Sequence, residues 1–331
     1  MSIALIGGGA WGTAFAIHLA RTGKKVLLWV YEQELCTLLK ETRENSYYLP
    51  GFVLPDSIQF TSDLEQVVSY ADDVVISTPS FALRETVTKI APALRTRNIV
   101  ILTKGIERGR LLCMHEVVEE VLGSSKDHVA TLSGPSFAKE VSQGSFTAAV
   151  IASANKQLAR YFQQIIHADN FRVYVSDDIV GVELGGALKN VMAIGTGIIE
   201  GLKFGTNTQA AFVTRALAEM KRLGKALGAK ENTFMGLSGM GDLILTSYGS
   251  LSRNRLFGLA LATGQSAQDI IESQKNVVEG YYTIMAAHSL SAKLGIDMPI
   301  TEELYKIVYE GKNIQSSLRD IITREFKEED Y

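Results

Sequence analysis

The first half of the chain alternates short apolar runs with segments whose apolar residues recur at helical spacing. The apolar runs are rich in Val and Ile and are bounded by Gly, Pro, Ser or Asp, which is typical of buried strands. They predict strands at residues 3–6, 26–30, 74–77, 99–103 and 129–133. Helices are predicted between them at residues 11–21, 81–94 and 111–122. Buried strands that alternate with helices are typical of a parallel sheet covered on both faces.

Predicted strands at residues 148–152 and 171–175, separated by a helix at residues 156–166, extend the same sheet. Beyond residue 178 the apolar residues recur at helical spacing and no further strand pattern follows. Helices are predicted there at residues 179–202, 208–227, 255–262, 267–271, 280–294 and 300–309. We therefore expect an α/β domain with a doubly wound parallel sheet in residues 1–178 and an all-helical, substrate-binding domain in residues 179–331.

Composition narrows the class of protein. The chain has 331 residues, enough for two domains at roughly 100–200 residues each. Hydrophobic residues make up 46% and charged residues 21%, a balance that excludes extensive disorder. The net charge of −3 comes without the basic stripe of a nucleic-acid-binding protein. No apolar run approaches the ~20 residues of a membrane span, and no signal peptide is evident, so we expect a cytoplasmic enzyme acting on a small molecule.

The spacing of cysteines and histidines predicts neither disulfides nor a metal centre. Cys36 and Cys113 form no CxxC pair, and we expect both to be reduced. The five histidines are scattered without the spacing of zinc ligands.

A glycine-rich loop joins the first predicted strand to the first predicted helix. Gly7, Gly9 and Gly12 form the pattern GxGxxG, with Ala10 and Trp11 before the last glycine. Gly7 allows a tight turn, Gly9 lets the backbone approach a pyrophosphate, and Gly12 lets helix and strand pack closely. The helix N-terminus adds amide donors and a partial positive charge. In this strand–helix context the loop predicts a Rossmann-type dinucleotide-binding domain.

The residues after the second predicted strand bear on which dinucleotide binds. Glu32 lies 20 residues beyond Gly12, where an acid can accept a hydrogen bond from the ribose 2′-hydroxyl of NAD. An arginine there favours NADP, but Tyr31 and Glu32 are followed by no basic residue before Lys40. Alternatively, Glu32 begins the next helix and faces water. Both interpretations stay open, so the expected cofactor is NAD or NADP.

Two polar clusters follow predicted strands. Lys104 comes directly after strand 99–103, and Gly134 and Ser136 come after strand 129–133. Ligands of open parallel sheets bind outside the carboxyl ends of the strands, so both clusters are expected on the side of the glycine loop. A solvated surface lysine is the alternative for Lys104.

Residues 185–197 predict an apolar helix whose small residues allow close approach of another backbone or a ligand. Lys189 is one of its few charged residues, and Asn190 follows it. Desolvation lowers the pKa of a buried amine, which suits Lys189 to proton transfer. Alternatively, the ammonium group of Lys189 extends from a buried helix to water.

Two further helix starts carry polar side chains. Asp242 begins one helix, with Thr246 one turn later on the same face, although Asp242 could be only a helix cap. Ser252, Arg253 and Asn254 place a hydroxyl, a guanidinium and an amide at the other. Such groups suit a phosphate or a carboxylate, and a solvated basic turn is the alternative.

Together these residues resemble the soluble NAD(P)-dependent glycerol-3-phosphate dehydrogenases, most closely the bacterial type. The motifs occur in the family's order over nearly the whole chain. They are the glycine loop and segments 103–105, 133–138, 186–193, 241–243, 252–254, 278–280, 298–301 and 309–311. The resemblance implies reversible hydride transfer between C2 of sn-glycerol 3-phosphate and the nicotinamide, giving dihydroxyacetone phosphate. It also implies a homodimer that supplies glycerol 3-phosphate for phospholipid synthesis.

The resemblance further implies residue roles. Lys189 is the general acid/base, Lys104 polarises the substrate oxygen or contacts the substrate, and Asp242 supports Lys189. Besides these three, the implied substrate-binding positions are Gly134, Ser136, Asn190, Thr246, Ser252, Arg253 and Asn254. The implied cofactor-binding positions are Gly7, Gly9, Ala10, Trp11, Gly12, Tyr31, Glu32, Lys104, Ala138, Arg253, Val278 and Glu279.

Two alternative functions remain open from the sequence. A related hydroxyacid or 6-phosphogluconate-type dehydrogenase shares the Rossmann domain, the helical domain and a helix lysine. A dinucleotide-binding sensor would bind the cofactor without turnover, although the joint presence of Lys104, Lys189 and Asp242 favours an enzyme. Members of the family that use NADP often carry a basic residue after the second strand, and this chain departs from that pattern at Tyr31 and Glu32.

Overall fold

The apolar runs form the strands of one sheet in a computed structural model, which describes residues 1–123, 126–274, 276–323 and 325. The strands are β1 (Ser2–Ile6), β2 (Lys25–Trp29), β3 (Ile58–Thr61), β4 (Asp73–Ile76), β5 (Asn98–Ile101), β6 (Val129–Ser133), β7 (Thr147–Ala152) and β8 (Phe171–Ser176). Their order is β3-β2-β1-β4-β5-β6-β7-β8, and all neighbouring pairs are parallel except β6–β7. The predicted doubly wound sheet is confirmed, with one antiparallel pair that the sequence pattern did not predict.

Alternating side chains of the central strands β1, β2, β4, β5 and β6 pack into two apolar layers on opposite faces of the sheet. Ile3 and Leu5 join one layer, whereas Ala4 and Ile6 join the other. Because successive side chains of a strand point to opposite faces, burial of both sets requires helices on both sides. These strands are continuously apolar because helices cover both faces of the sheet.

The helices of this part of the chain are α1 (Ala10–Arg21), α2 (Gln33–Thr42), α3 (Leu64–Tyr70), α4 (Leu83–Lys89), α5 (Ala91–Leu94), α6 (Met114–Leu122), α7 (Ala138–Gln143) and α8 (Lys156–Ile166). Short 3₁₀ helices lie at Ser80–Ala82 and Lys126–His128. Helices α1, α2, α7 and α8 cover one face of the sheet, and α3 to α6 cover the other.

The structure corrects the sequence analysis at several elements. The helix predicted at residues 81–94 is divided into α4 and α5, since Pro92 lies in the first turn of α5 and has no amide hydrogen with which to continue α4. Strand β7 runs antiparallel to β6, although the connection between them contains a helix, α7, as the connection between parallel strands usually does. The sequence analysis also missed β3, α2, α3 and α7.

Helices follow from residue 179 onward. They are α9 (Ile179–Gly201), α10 (Thr206–Ala226), α11 (Glu231–Phe234), a π-helical segment (Leu237–Gly241), α12 (Asp242–Tyr248), α13 (Arg253–Ala262), α14 (Ala267–Ser273), α15 (Glu279–Leu294), α16 (Pro299–Tyr309) and α17 (Ile314–Ile322). The long helices match the predicted segments, whereas α11 and α17 were not predicted. The residues at 275, 324 and 326–331 of the predicted second domain lie outside the described part of the chain.

Helix α9 is the centre of the helical part. Every residue from Gly181 to Ile199 is buried, and α10, α12, α13 and α15 pack around it. A Cβ atom on Gly258 of α13 would lie 2.0 Å from the carbonyl oxygen of Ile194, so these two helices pack backbone against backbone. This close packing places the polar residues of α9 next to the starts of α12 and α13.

The described residues include one helix, α9, that is long and apolar enough to cross a membrane by length and composition. This corrects the expectation that no apolar run reaches such a length. The most apolar window of α9 is entirely buried inside the protein, which is typical of a core helix.

Candidate active site

The glycine loop lies between β1 and α1 and leaves room for a ligand. Gly7 has φ = +123°, and a Cβ atom there would lie 2.6 Å from the carbonyl oxygen of Ser77. At Gly9, by contrast, a Cβ atom would meet nothing within 4 Å. Gly9 also caps α1 without any side-chain hydrogen bond, so the first amide groups of the helix are left for a ligand. This geometry fits the pyrophosphate of a dinucleotide.

A residue that the sequence analysis missed braces the loop. The buried Asn45 side chain donates hydrogen bonds to the carbonyl oxygen of Gly8 and to Oγ1 of Thr13, both at 2.8 Å. Asn45 is 37 residues from Gly8, so no local pattern identifies it. Trp11 at the start of α1 has a buried indole nitrogen without a hydrogen-bond partner among the described residues.

The two residues after β2 differ in their surroundings. Tyr31 is 77% exposed. Glu32 is the N-cap residue of α2, but its side chain makes no capping hydrogen bond. Instead, its Oε1 accepts a hydrogen bond of 2.5 Å from the hydroxyl of Tyr48. Burial and the adjacent Glu32 raise the pKa of Tyr48 to about 12. Glu32 is therefore held by a protein side chain, which neither interpretation of the sequence included.

Three charged side chains from distant parts of the chain meet beyond the carboxyl ends of the strands. Lys104 follows β5, Lys189 lies on α9, and Asp242 begins α12. The Nζ atom of Lys104 lies 2.7 Å from Oδ2 of Asp242, and that of Lys189 lies 2.8 Å from Oδ1. Lys189 also donates to Oγ1 of Thr246 at 2.8 Å. We call Lys104, Lys189, Asp242 and Thr246 the lysine–aspartate cluster.

The lysine–aspartate cluster surrounds the buried Lys189 with groups that shift its pKa in opposite directions. Burial, together with the positive charge of Lys104, lowers the pKa of Lys189 to about 8, while Asp242 opposes this shift. A lysine whose pKa lies near neutral pH can both donate and accept a proton. Asp242 is 1% exposed, so its single charge is shared between two ammonium groups away from bulk water.

The loop after β6 adjoins the cluster. Lys104 Nζ donates to the carbonyl oxygen of Gly134 at 3.2 Å, and the hydroxyl of Ser136 donates to the same oxygen at 3.1 Å. The Lys104 ammonium group is thus fixed by a backbone carbonyl as well as by Asp242. Ala138, which begins α7, packs against the apolar layer that contains α1.

The start of α13 combines one exposed cation with buried amides. Arg253 has an exposed side chain, whereas Ser252 is buried and accepts a hydrogen bond from the Arg255 amide as the cap of α13. Asn254 donates to Oδ1 of Asn190 at 2.8 Å. Its own Oδ1 accepts from the Gly280 amide at 2.9 Å, linking α9, α13 and α15.

A second contact joins α15 to the sheet part of the chain. The carboxylate of Glu279 accepts hydrogen bonds from the amide of Ser80 at 3.0 Å and from its hydroxyl at 2.6 Å. Burial raises the pKa of Glu279, and these hydrogen bonds oppose the rise. Val278, the residue before it, is buried in the apolar core of the helical part, so its predicted cofactor contact stays a prediction.

The structure brings together a group of potential metal ligands that the sequence spacing did not indicate. The ligand atoms of Cys113, His115 and Glu183 lie within 4.8 Å of one another, and all three residues are buried. His115 Nδ1 lies 2.7 Å from Glu183 Oε2, which is a hydrogen-bonding distance, and the His115 amide also donates to this carboxylate. Burial lowers the pKa of His115, but the charge and hydrogen bond of Glu183, together with the charges of Glu119 and Glu116, outweigh burial and raise the net pKa. His115 and Glu183 thus link α6 to α9.

A dinucleotide-type glycine loop and a buried lysine of lowered pKa are together typical of one class of protein, the nicotinamide-dependent oxidoreductases. Residues 2–159 match the profile of the NAD-dependent glycerol-3-phosphate dehydrogenase N-terminus, and residues 178–319 match that of its C-terminus. The chain belongs to the NAD-dependent glycerol-3-phosphate dehydrogenase family, whose members act on a CH–OH group. The family resemblance seen in the sequence is confirmed.

Individual relatives cover the whole chain. A glycerol-3-phosphate dehydrogenase [NAD(P)+] of Syntrophotalea carbinolica is 45% identical over 331 residues, covering 99% of each chain. The crystal structure of glycerol-3-phosphate dehydrogenase from Coxiella burnetii is 40% identical, with a TM-score of 0.94 over 98% of this chain and 99% of that one. The structure of a glycerol-3-phosphate dehydrogenase from Saccharomyces cerevisiae is 28% identical, with a TM-score of 0.82 and the same coverage of 98% and 99%.

Proposed function

We propose that this protein reversibly converts sn-glycerol 3-phosphate to dihydroxyacetone phosphate with NAD or NADP as the hydride acceptor. The single observation that carries the proposal is the lysine–aspartate cluster, since it supplies a proton donor and a second cation for one substrate oxygen. Relatives named glycerol-3-phosphate dehydrogenase [NAD(P)+] support both the substrate and the cofactor.

The residues around Gly9 would hold the dinucleotide. The open space at Gly9 and the uncapped start of α1 would bind the pyrophosphate, with Ala10 and Trp11 in the first turn. When bound, the nicotinamide supplies or accepts the hydride. Glu279 and Ala138 are assigned to the cofactor side as well, because the family resemblance places them there.

Lys189 moves the proton in this proposal. On oxidation its neutral amine takes the proton of the C2 hydroxyl, and on reduction its ammonium group returns a proton to the same oxygen. Since the pKa of Lys189 is about 8, both forms are accessible near neutral pH. Lys104 polarises the oxygen with its positive charge, and Asp242 holds both ammonium groups in place.

The start of α13 would bind the substrate phosphate. The guanidinium of Arg253, whose pKa is lowered by burial against the opposing charge of Glu279, is the cation for this site, and Asn190 orients Asn254 beside it. The family resemblance assigns Ser252, Gly134 and Ser136 to substrate binding as well. Phosphate binding away from C2 would supply binding energy that holds C2 against the cofactor.

We also propose a domain division between residues 178 and 179. It is supported by the Asp178 carboxylate, which caps α9 through the amide of Gly181 at 2.9 Å. We further propose that the enzyme is a cytoplasmic homodimer supplying glycerol 3-phosphate for phospholipid synthesis, as the family resemblance implies. Light scattering that gives the mass of a single chain would refute the homodimer.

The reaction is tested by following the absorbance of NADH or NADPH with purified protein and dihydroxyacetone phosphate. We expect consumption of a reduced cofactor, and a kcat/KM lower by about 100-fold with dihydroxyacetone, which lacks the phosphate. Turnover of 6-phosphogluconate with NAD or NADP but none of dihydroxyacetone phosphate would refute the proposal. Cofactor binding with no turnover of any of these substrates would favour the sensor.

A further inference from the structure

The carboxylate of Glu32 lies at the edge of the glycine loop. Strand β2, which ends at Trp29, pairs in parallel with β1, and the amide of Gly7 donates to the carbonyl oxygen of Trp29 at 3.1 Å. Glu32 therefore follows the point at which β2 meets the loop. In a dinucleotide-binding fold this position faces the adenosine ribose.

A chain of hydrogen bonds fixes Glu32 relative to the loop. Asn45 donates to the carbonyl oxygen of Gly8 and accepts a hydrogen bond of 3.1 Å from the amide of Tyr48. The hydroxyl of Tyr48 then donates to Oε1 of Glu32 at 2.5 Å. The same asparagine that braces the glycine loop thus positions the tyrosine that holds the carboxylate. Tyr48 engages one carboxylate oxygen, Oε1, so the other oxygen, Oε2, is the acceptor that a ribose hydroxyl would use.

The basic side chains of this region have other partners. The guanidinium of Arg43, on the same segment as Asn45, donates to the carbonyl oxygens of Leu54 and Ile58 at 3.0 and 2.9 Å. Lys89, which is close enough to Tyr31 to interact electrostatically, forms an exposed ion pair with Glu85 at 2.7 Å, which holds it only weakly. Within the described residues, no lysine or arginine forms an ion pair with Glu32. A 2′-phosphate at this position would meet a carboxylate instead of a cation.

We propose that Tyr48 is a positioning residue for cofactor specificity, which holds Glu32 as the acceptor for the ribose 2′-hydroxyl and so selects NAD(H) over NADP(H). The inference rests on the proposed function and goes beyond it, because the family resemblance leaves the cofactor open. A held carboxylate accepts hydrogen bonds from the ribose without reorganisation, and it repels a phosphate dianion. Without the Tyr48 hydroxyl the carboxylate of Glu32 can turn towards water, and the preference for NAD(H) over NADP(H) falls.

The test compares kcat/KM for NADH and NADPH with dihydroxyacetone phosphate in four proteins: wild type, Glu32→Gln, Tyr48→Phe and Tyr47→Phe. We expect the wild type to prefer NADH by at least about 30-fold. Glu32→Gln should reduce this ratio at least about tenfold, mainly through a lower KM for NADPH. Tyr48→Phe should raise the KM for NADH about three- to tenfold at unchanged kcat and lower the ratio. Tyr47→Phe, an exposed neighbouring tyrosine, should leave the ratio unchanged.

Three results would overturn the inference. These are a wild-type ratio within threefold of unity, a ratio unaffected by Tyr48→Phe, or equal losses of kcat with both cofactors in Tyr48→Phe, which would indicate a merely structural role. Fluorescence titration of NADH and NADPH without substrate separates this inference from the proposed function. Preferential NADH binding that Glu32→Gln abolishes, in a protein without turnover, would refute the reaction and leave the specificity inference standing.

Discussion

Replacing Asp242 with asparagine removes one negative charge from the lysine–aspartate cluster and leaves its shape nearly unchanged. Asp242 accepts hydrogen bonds from both Lys104 and Lys189, at 2.7 and 2.8 Å. It is the group that opposes the effects of burial and of Lys104 on the pKa of Lys189. In Asp242→Asn the ammonium form of Lys189 therefore loses its main stabilisation.

The size of the effect follows from the short distances. Unit charges about 4 Å apart interact by about 4 kcal/mol at an effective dielectric constant of about 20. A shift of one pKa unit corresponds to about 1.4 kcal/mol, so the full loss would be about three units. Water entering the site would reduce it, and we expect the pKa of Lys189 to fall by about one to three units.

The assay is the pH profile of dihydroxyacetone phosphate reduction. Reduction needs the ammonium form of Lys189, so the wild-type rate should fall as the pH rises through about 8. In Asp242→Asn this fall should occur about 1–3 pH units lower, with a maximal rate reduced about 10²- to 10³-fold. Oxidation needs the neutral amine, so its rate should level off at a correspondingly lower pH.

The matched control is Thr246→Val, which removes the other hydrogen-bond partner of Lys189 without changing the charge. Its pH profile should move by less than about half a unit, since a neutral hydrogen bond is weaker than an ion pair. A profile of Asp242→Asn that coincides with that of the wild type would refute the assignment of Lys189 as the titrating group. If the pH profiles of Asp242→Asn and Thr246→Val were displaced equally, the negative charge of Asp242 would not be the cause of the shift.

Three further changes test other parts of the account. Gly9→Val should lower the melting temperature only slightly, because a Cβ atom at Gly9 meets nothing within 4 Å, although valine is a poorer helix cap than glycine. It should weaken NADH binding in a fluorescence titration on the order of 100-fold, and unaltered binding would exclude the loop as the pyrophosphate site. Because the pKa of His115 is raised in the folded state, its pair with Glu183 should stabilise the protein fully below about pH 6.5 and lose this effect as the pH rises through the raised value. The melting-temperature difference between wild type and His115→Gln should therefore shrink with rising pH, and a constant difference would contradict a charged pair. Gly258→Ala should lower the free energy of unfolding in urea by about 1–3 kcal/mol or more, because its methyl group would lie 2.0 Å from the Ile194 carbonyl oxygen; full stability would disprove the close packing of α9 and α13.

The spacing of apolar residues along the sequence predicted the strands and helices that bury a continuous apolar face. The strands of the central sheet and the long helix α9 have apolar periodicities strong enough to be recognised without tertiary contacts. Strand β3 was missed because it is a four-residue edge strand with an exposed Gln59, which interrupts its apolar run. The direction of β7 depends on how α7 returns the chain to the sheet, and no local pattern encodes it.

In the candidate site, too, the sequence predicts some residues and misses others. The glycine loop, Lys104, Lys189 and Asp242 stand out because each is unusual within its own segment. The supporting residues do not stand out in the sequence. Asn45, which braces the glycine loop, and Tyr48, which holds Glu32, are ordinary polar residues whose partners lie far away in sequence. Such contacts arise from the packing of distant segments, so the sequence predicts the reacting groups better than their support.

The most direct test of the central claim is the turnover number of Lys189→Met in dihydroxyacetone phosphate reduction at neutral pH. Methionine fills the buried space on α9 without a transferable proton, and Lys104 remains to pair with Asp242. The account predicts unchanged cofactor binding and a turnover number about 10²- to 10⁴-fold below the wild type. A turnover number within tenfold of the wild type would show that another group transfers the proton.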